Sequence, residues 1–188
     1  MAVAKPGILK ELSLFLGRLV LLAPVCLVLW WLIMPYYAWV LGEISVVVLR
    51  YLLRLPVESV TVEPSGFLNT ETLLRFGWES RTREIAMCVL VTNIATFVAL
   101  VLATPRGARL TLRRRLRTLA LGTGILALGQ EVYLILAFTF AGAVSQSPEF
   151  PTALAQVFIT LPFPLWVVLA HWDRMELFLH PNACKRSN

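Results

Sequence analysis

The sequence predicts an all-α membrane protein: a four-helix transmembrane bundle with an interfacial helix and a small extracytoplasmic β-hairpin-like cap. Three observations predict it. The 188 residues are 58% hydrophobic and only 15% charged, with a mean hydropathy of +0.75, against an apolar content of about 45–50% in soluble domains. Four apolar runs approach or exceed the roughly 20 residues that a bilayer-crossing helix needs. Apart from Arg18 and Glu131, charge is confined to the segments outside those runs, and one of them, 106–117, holds six arginines and no acid.

The net charge of +6 and the pI near 9.7 do not point to nucleic acid. Cations that bind nucleic acid cover a face or alternate with aromatic residues, whereas here they border apolar runs. Orientation in a membrane and contact with anionic lipid account for them. Cys26, Cys88 and Cys184 lie far apart with no metal-ligand spacing and no disulfide framework. No metal site and no other cofactor is expected.

Lys5 and Lys10 precede the first apolar run, as in a signal peptide. The run lacks a small-residue cleavage site and continues through Trp30, Trp31 and Tyr36, so it reads as an uncleaved first span, about 14–41. Pro24 and Pro35 each remove a backbone donor from it, and Tyr36, Tyr37 and Trp39 form an aromatic belt at its far end. From Glu43 to Leu55, charged Glu43, Arg50 and Arg54 intrude among Val46, Val47, Leu49, Leu52 and Leu53. An interfacial helix is expected there, with a tilted continuation of the first span as the alternative.

The outer segment 43–85 contains the one sizeable polar stretch, 57–85. Alternation at Val60-Thr61-Val62, a turn at Pro64-Ser65-Gly66 and a second apolar run through Leu68, Leu73, Leu74 and Phe76 predict the hairpin-like cap. The second span is about 85–104, followed by the Arg-rich loop 105–117. The third span is about 118–144 and the fourth about 151–170, interrupted by Pro162 and Pro164. The tail 171–188 starts as a short amphipathic helix. The whole of 1–188 forms a single integral membrane domain. Because Lys and Arg of short loops stay on the cytoplasmic side, the arginine loop is expected inside, with both termini cytoplasmic and the net acidic outer segment outside.

Glu131 is the most informative residue, since a carboxylate in mid-span costs several kcal/mol unless it is neutralised or bonded. With Gln130, Asn93, Thr96 and Tyr133 it forms a candidate intramembrane polar cluster. Two readings stay open: a proton-relay or ligand-holding carboxyl, or a neutral acid bonding neighbouring helices together. Ala120, Gly122, Gly124, Ala127 and Gly129 form a candidate helix-packing face, with Ala120 and Gly124 a small-xxx-small pair. Arg106, Arg109, Arg113, Arg114, Arg115 and Arg117 are candidates for contact with anionic lipid or a partner. Cys88 invites comparison with a thiol nucleophile, but a thiolate needs a base or cation beside it. His171 and His180 belong to the opposite end of the proposed topology, so no catalytic residue is assigned.

The order of these features resembles a known family. A proline-punctuated, Trp-rich first span (Leu21-Leu22-Ala23-Pro24, Leu29-Trp30-Trp31, Met34-Pro35-Tyr36) precedes an amphipathic stretch and a Val-rich hairpin. Asn93 then opens a span closing with Leu100-Val101-Leu102-Ala103-Thr104-Pro105. Over about the first 140 residues the chain resembles the small bacterial membrane proteins associated with exosortases, of the exosortase H-associated type. That resemblance implies an inner-membrane accessory protein working beside a sorting transpeptidase, with no catalytic residues of its own. Exosortases are similar to one another in an outer-face Cys, Arg and His set, and no outer histidine completes one here. The expected function is thus a non-enzymatic accessory or scaffold subunit whose partners are the lipid bilayer and another membrane protein. A small transporter or proton-coupled subunit using Glu131 is the alternative, and a membrane thiol enzyme at Cys88 the second.

Overall fold

The structure is a computed structural model that describes residues 6–78, 81–105, 111–139, 156–157 and 160–179, with the side chains of 6–9, 81, 88–91 and 171–179 excepted. Helix α1, Pro6–Val47, is 42 residues long and runs through Pro24 and Pro35. It passes without interruption into a π-helical turn, Val48–Leu52. The separate interfacial helix expected over 43–55 is therefore not formed, and the continuation of the first span takes its place. The local sequence explains why. No Gly or Pro stands between Glu43 and Leu52 to stop the helix, and the buried positions Met34, Ala38 and Leu41 continue as Ser45 and Leu49 on one face. The intruding cation Arg50 turns back on the chain. Its guanidinium donates to the carbonyls of Val57 (3.0 and 2.7 Å) and Glu58 (2.7 Å), which ties the end of the helix to the first strand.

The cap is a three-stranded antiparallel sheet rather than a hairpin, in the order β1 Val57–Glu63, β2 Leu73–Trp78, β3 Arg81–Ala86. Residues 85 and 86, expected in the second span, pair with Leu74 and Leu73 instead. The period of two divides the sheet into faces. Leu74 and Phe76 are fully buried towards the helices, while Arg75 on the other face joins Glu84 of β3 at 2.8 Å and Glu63, the last residue of β1. Gly42 lets the sheet settle on α1: a Cβ there would stand 2.8 Å from Val60 Cγ2 and 3.2 Å from Leu74 Cδ2.

Helix α2, Cys88–Ala103, is central and packs against α1, α3 and α4. Helix α3, Leu112–Thr139, starts six residues before the expected third span. Thr111 caps it: its hydroxyl accepts from the Arg114 amide at 3.4 Å and its carbonyl accepts from the Arg115 amide at 3.0 Å. Arg113, Arg114, Arg115 and Arg117 accordingly lie on the first turns of a helix and not in a loop. Helix α4, Pro162–Leu179, begins where the fourth span was expected to be interrupted. Pro162 is its first residue and Pro164 sits in its first turn, where a missing amide donor costs least. The end of the expected third span (140–144) and the start of the fourth (151–155) fall outside the described residues.

Among the described residues, two helical segments are long and apolar enough to cross a membrane, Lys10–Leu52 and Leu112–Thr139; the apolar stretch of α2, Thr92–Ala103, is shorter. Two apolar clusters hold the fold. One, beneath the sheet, contains Met34, Leu49, Leu74, Phe76, Leu134 and Phe138. The other, among the helices, contains Ile94, Phe97, Val101 and Leu126. Trp30, Tyr37 and Leu161 pack against both and join them.

Candidate functional site

The buried face of α3 repeats every fourth residue: Thr118, Gly122, Leu126, Gln130, Leu134, Phe138. This spacing aligns a ridge along one side of the helix, and the ridge carries one large polar side chain, Gln130, with no solvent exposure. Its amide is satisfied from both sides. The Tyr37 hydroxyl of α1 donates to Gln130 Oε1 at 2.6 Å, and Gln130 Nε2 donates to Asn93 Oδ1 of α2 at 2.7 Å. A hydrogen-bonded seam thus crosses three helices at one level, as expected where hydrocarbon offers no competing water.

Glu131 faces a different neighbour. The Ser45 hydroxyl of α1 donates to Glu131 Oε1 at 2.8 Å, while the buried Oε2 has no hydrogen-bond partner among the described residues. Asn93 Nδ2 is also buried without one. The predicted cluster therefore divides. Gln130 and Asn93 are joined, Glu131 is held separately by Ser45, and Tyr133 packs among the apolar residues beneath the sheet. Thr96 is exposed and bonds the Thr92 carbonyl of its own helix at 3.2 Å, so it is not a member. Tyr37 and Ser45 were not among the candidates. In the sequence Tyr37 belongs to the expected aromatic belt, and Ser45 to the expected interfacial helix. Their signal is the ridge Met34, Ala38, Leu41, Ser45, Leu49, against which Tyr37 lies one step to the side.

The small-residue face also divides. Gly122 is the close contact: an added Cβ would fall 2.0 Å from Phe97 Cζ, so the ring of α2 lies directly on the α3 backbone. Ala120 and Gly124 are exposed, and a Cβ on Gly124 would meet nothing within 4 Å. Ala127 and Gly129 are half-buried. The small-xxx-small pair consequently faces outward from the chain.

At the arginine end, Thr104 is the junction. The Arg115 guanidinium donates to the Thr104 carbonyl, Trp166 Nε1 of α4 donates to Thr104 Oγ1 at 3.0 Å, and Thr104 Oγ1 donates to the Leu100 carbonyl at 2.9 Å. Phe15 of α1 stacks on Trp166 at 5.4 Å. Arg113 and Arg117 are exposed and Arg114 half-buried beside a groove of about 990 Å³ that Leu121 and Leu169 also line. Arg106 and Arg109 fall outside the described residues. At the sheet end, Arg83 closes α3: its guanidinium donates to the Phe138 carbonyl and lies 4.1 Å from the centre of the Trp78 ring. A cation there also complements the helix C-terminus.

Cys88 is the first residue of α2, with its side chain outside those described; the same holds for His171, and His180 lies wholly outside them. Among the described residues no group of three or more His, Cys, Asp or Glu side chains is placed to hold a metal ion.

A protein-family model described as exosortase H-associated membrane protein matches residues 9–132. The match covers well over half of the chain, including the Trp-rich half of α1, the sheet, α2 and the hydrogen-bonded seam. The chain belongs to the exosortase H-associated membrane protein family. No curated protein and no solved structure matches it. For this family member, the membership agrees with the resemblance read from the proline-punctuated first span and the Asn93 to Pro105 segment, and the family's description is that of membrane proteins associated with an exosortase.

Proposed function

We propose that this protein is a non-enzymatic accessory or scaffold subunit of a bacterial inner-membrane complex for exosortase-type envelope protein sorting. The observation that carries the reading is the outward-facing Ala120 and Gly124 pair on α3, in a chain whose family is named for its association with an exosortase. Between membrane helices there is little hydrophobic drive, so association depends on small residues that let two backbones approach. A second membrane protein is the fitting occupant of that face.

In this reading the chain is a single membrane domain whose four helices form a bundle. The arginines between 106 and 117 hold that end at the cytoplasmic side, which places the three-stranded sheet outside the membrane, and both termini inside. The seam through Tyr37, Gln130 and Asn93 and the Ser45 bond to Glu131 act as packing contacts that fix the bundle.

Gly124→Leu tests the reading. A Cβ at this exposed position would meet no atom within 4 Å, so the variant is expected to fold and insert as the wild type does, yet to lose the co-purifying membrane partner in mild detergent. A wild-type protein that is strictly monomeric with no retained partner would overturn the proposal, as would a Gly124→Leu variant that keeps its partner in full.

The relay reading of Glu131 has one observation in its favour, the buried unpartnered Oε2. Glu131→Gln cannot release a proton. Unchanged function in that variant supports the packing role, and complete loss with normal insertion supports the relay.

A further inference from the structure

Among the described residues, Phe67 is the most exposed large apolar side chain, at 81%, and it stands at the tip of the loop between β1 and β2. That loop, Pro64-Ser65-Gly66-Phe67-Leu68-Asn69-Thr70, carries no charge and lies between Glu63 and Glu71. It is closed on itself. The Glu71 amide donates to the Ser65 carbonyl at 2.9 Å, the Thr70 amide to the Phe67 carbonyl at 3.3 Å, and the Ser65 hydroxyl to the Glu71 carbonyl at 2.7 Å. Leu68 and Asn69 hold a left-handed backbone, φ 55° and 63°, which L residues adopt reluctantly. The result is a tight turn resting against α1, with Leu68 half-buried and Phe67 outward.

The height of this loop follows from two separate parts of the fold. β1 begins beside the end of α1, where Arg50 bonds Val57, and passes Gly42 at Val60, so the strand descends along the helix. At about 3.3 Å per strand residue and 1.5 Å per helical residue, Glu63 lies about 10 Å below Val60, near the level of Pro35. Tyr36 and Trp39, both exposed, mark that level on α1. The other part is α2. β3 runs in the direction of β1, and the Met87 amide at its end donates to the Thr72 carbonyl at 3.1 Å. The foot of the loop therefore sits beside Cys88, the first residue of α2. With 16 residues, α2 is about 24 Å long, short of the roughly 30 Å of a hydrocarbon core. The residues just before it are drawn to the membrane surface, and the loop, which projects beyond Thr72, is drawn further.

We infer that Phe67 inserts into the bilayer interface and anchors the sheet to the lipid surface. Aromatic rings at one height on adjoining elements form the belt that marks such an interface, and Phe67 extends the band of Tyr36 and Trp39 from the helix to the sheet. Lipid is the occupant because the exposed ring continues the lipid-facing surface of α1 at the level where α2 enters the membrane. The internally bonded loop amides suit a water-poor layer. Glu63 is paired with Arg75, and exposed Glu71 at the base of the loop stays among the headgroups and limits the depth. The ring calls for no particular headgroup, so a zwitterionic bilayer suffices. The inference rests on the membrane reading of the chain but not on any protein partner.

The test uses the full chain in phosphatidylcholine nanodiscs, with para-fluorophenylalanine placed at Phe67 so that the ring is kept. Fluorine relaxation is read with two paramagnetic agents, a lipid spin-labelled in its upper acyl chain and a water-soluble gadolinium chelate. The same probe at Tyr51, 74% exposed on the π-helical turn, reports water, and at exposed Leu29 of α1 it reports the bilayer interior. Position 67 is expected to relax with the labelled lipid far more than with the chelate, while Tyr51 does the reverse. Because Phe67 and Tyr51 are almost equally exposed in the chain, their difference reads height alone.

Phe67→Ser tests the anchoring. The ring touches little of its own chain, so its loss acts through the lipid: the Thr70 and Glu71 amides, both bonded within the loop, are expected to exchange about tenfold faster, the effect of one phenylalanine leaving an apolar medium. Unchanged exchange of the β2 amides establishes that the variant is folded. A position 67 that relaxes as Tyr51 does would overturn the inference. So would a position 67 reached by neither agent, which would mean that a second copy of the chain covers the ring, or loop exchange in Phe67→Ser equal to the wild type. The assay contains no other protein, so its failure leaves the accessory-subunit reading standing, and the reverse holds equally.

Discussion

Gly122 and Gly124 are two residues apart on one helix and should respond oppositely to the same small change. An alanine methyl at 122 would fall 2.0 Å from Cζ, 2.2 Å from Cε1 and 2.9 Å from Cε2 of Phe97. Carbon atoms attract best at about 3.5–4.0 Å, so the ring must withdraw by about 1.5 Å or the two helices must separate. Phe97 is fully buried among Ile94, Val101 and Leu126 and has no free space to enter. Overpacking of this kind costs about 1–3 kcal/mol, and the closeness of the overlap places Gly122→Ala at the upper end of that range. Gly124→Ala meets nothing and should stay within about 0.5 kcal/mol of the wild type, as surface substitutions do.

The assay is reversible unfolding by SDS titration in bicelles, followed by tryptophan fluorescence. Phe97→Ala serves as the third arm. Alone it leaves a void costing about 3–5 kcal/mol, but combined with Gly122→Ala it makes room for the methyl. The double variant should be more stable than the sum of the two losses by at least about 1 kcal/mol. Equal effects of alanine at 122 and 124, or strict additivity with Phe97→Ala, would refute the reasoning.

Three further outcomes follow from the contacts. Tyr37→Phe removes the bond to Gln130 and is expected to cost about 0.6 kcal/mol and no more than about 1.7 in the same titration, the range for hydrogen bonds between membrane helices. Arg83→Met keeps a long side chain but removes the donor to the Phe138 carbonyl and the cation over Trp78, with an expected loss of about 1–2 kcal/mol; hydrogen exchange should quicken in the last turn of α3, and unchanged exchange there would rule the cap out. Gly42→Ala brings a methyl to 2.8 Å from Val60 Cγ2 and is expected to cost about 1–2 kcal/mol. Val60→Ala in the same chain should restore most of that loss, and a failure to do so would mean that the sheet does not rest on Gly42.

The parts legible in the sequence were those that lipid and water separate sharply. Apolar runs and the arginine-dense segment marked a membrane chain, and Val60-Thr61-Val62 with the Pro64-Ser65-Gly66 turn marked a strand and its reversal. What escaped were contacts inside the apolar runs. In a soluble helix the polar side faces water and the period of 3.6 residues betrays the core, but lipid is as apolar as leucine, so inward Met34 and outward Ile33 look alike. Tyr37 and Ser45 were hidden for that reason, while Gln130 and Asn93 stood out because amides are rare there. The interfacial helix is expected because charged Glu43, Arg50 and Arg54 intrude among apolar residues. Arg50 is instead bound to the carbonyls of Val57 and Glu58, a contact that depends on where β1 returns. The third strand was missed because its end, Ile85-Ala86, is apolar and runs straight into α2.

The continuity of α1 has a consequence for geometry. The 42 residues from Pro6 to Val47 extend about 63 Å at 1.5 Å per residue, roughly twice the hydrocarbon thickness. A single rod thus connects the seam at Tyr37 with the sheet seated on Gly42 and tied through Arg50. On such a rod height and bearing are coupled: one inserted residue would raise the sheet by about 1.5 Å and turn it through about 100°. The compass direction in which the charged face around Arg75 points is therefore set by residue count along α1, and lengthening the rod would re-aim that face rather than merely lift it.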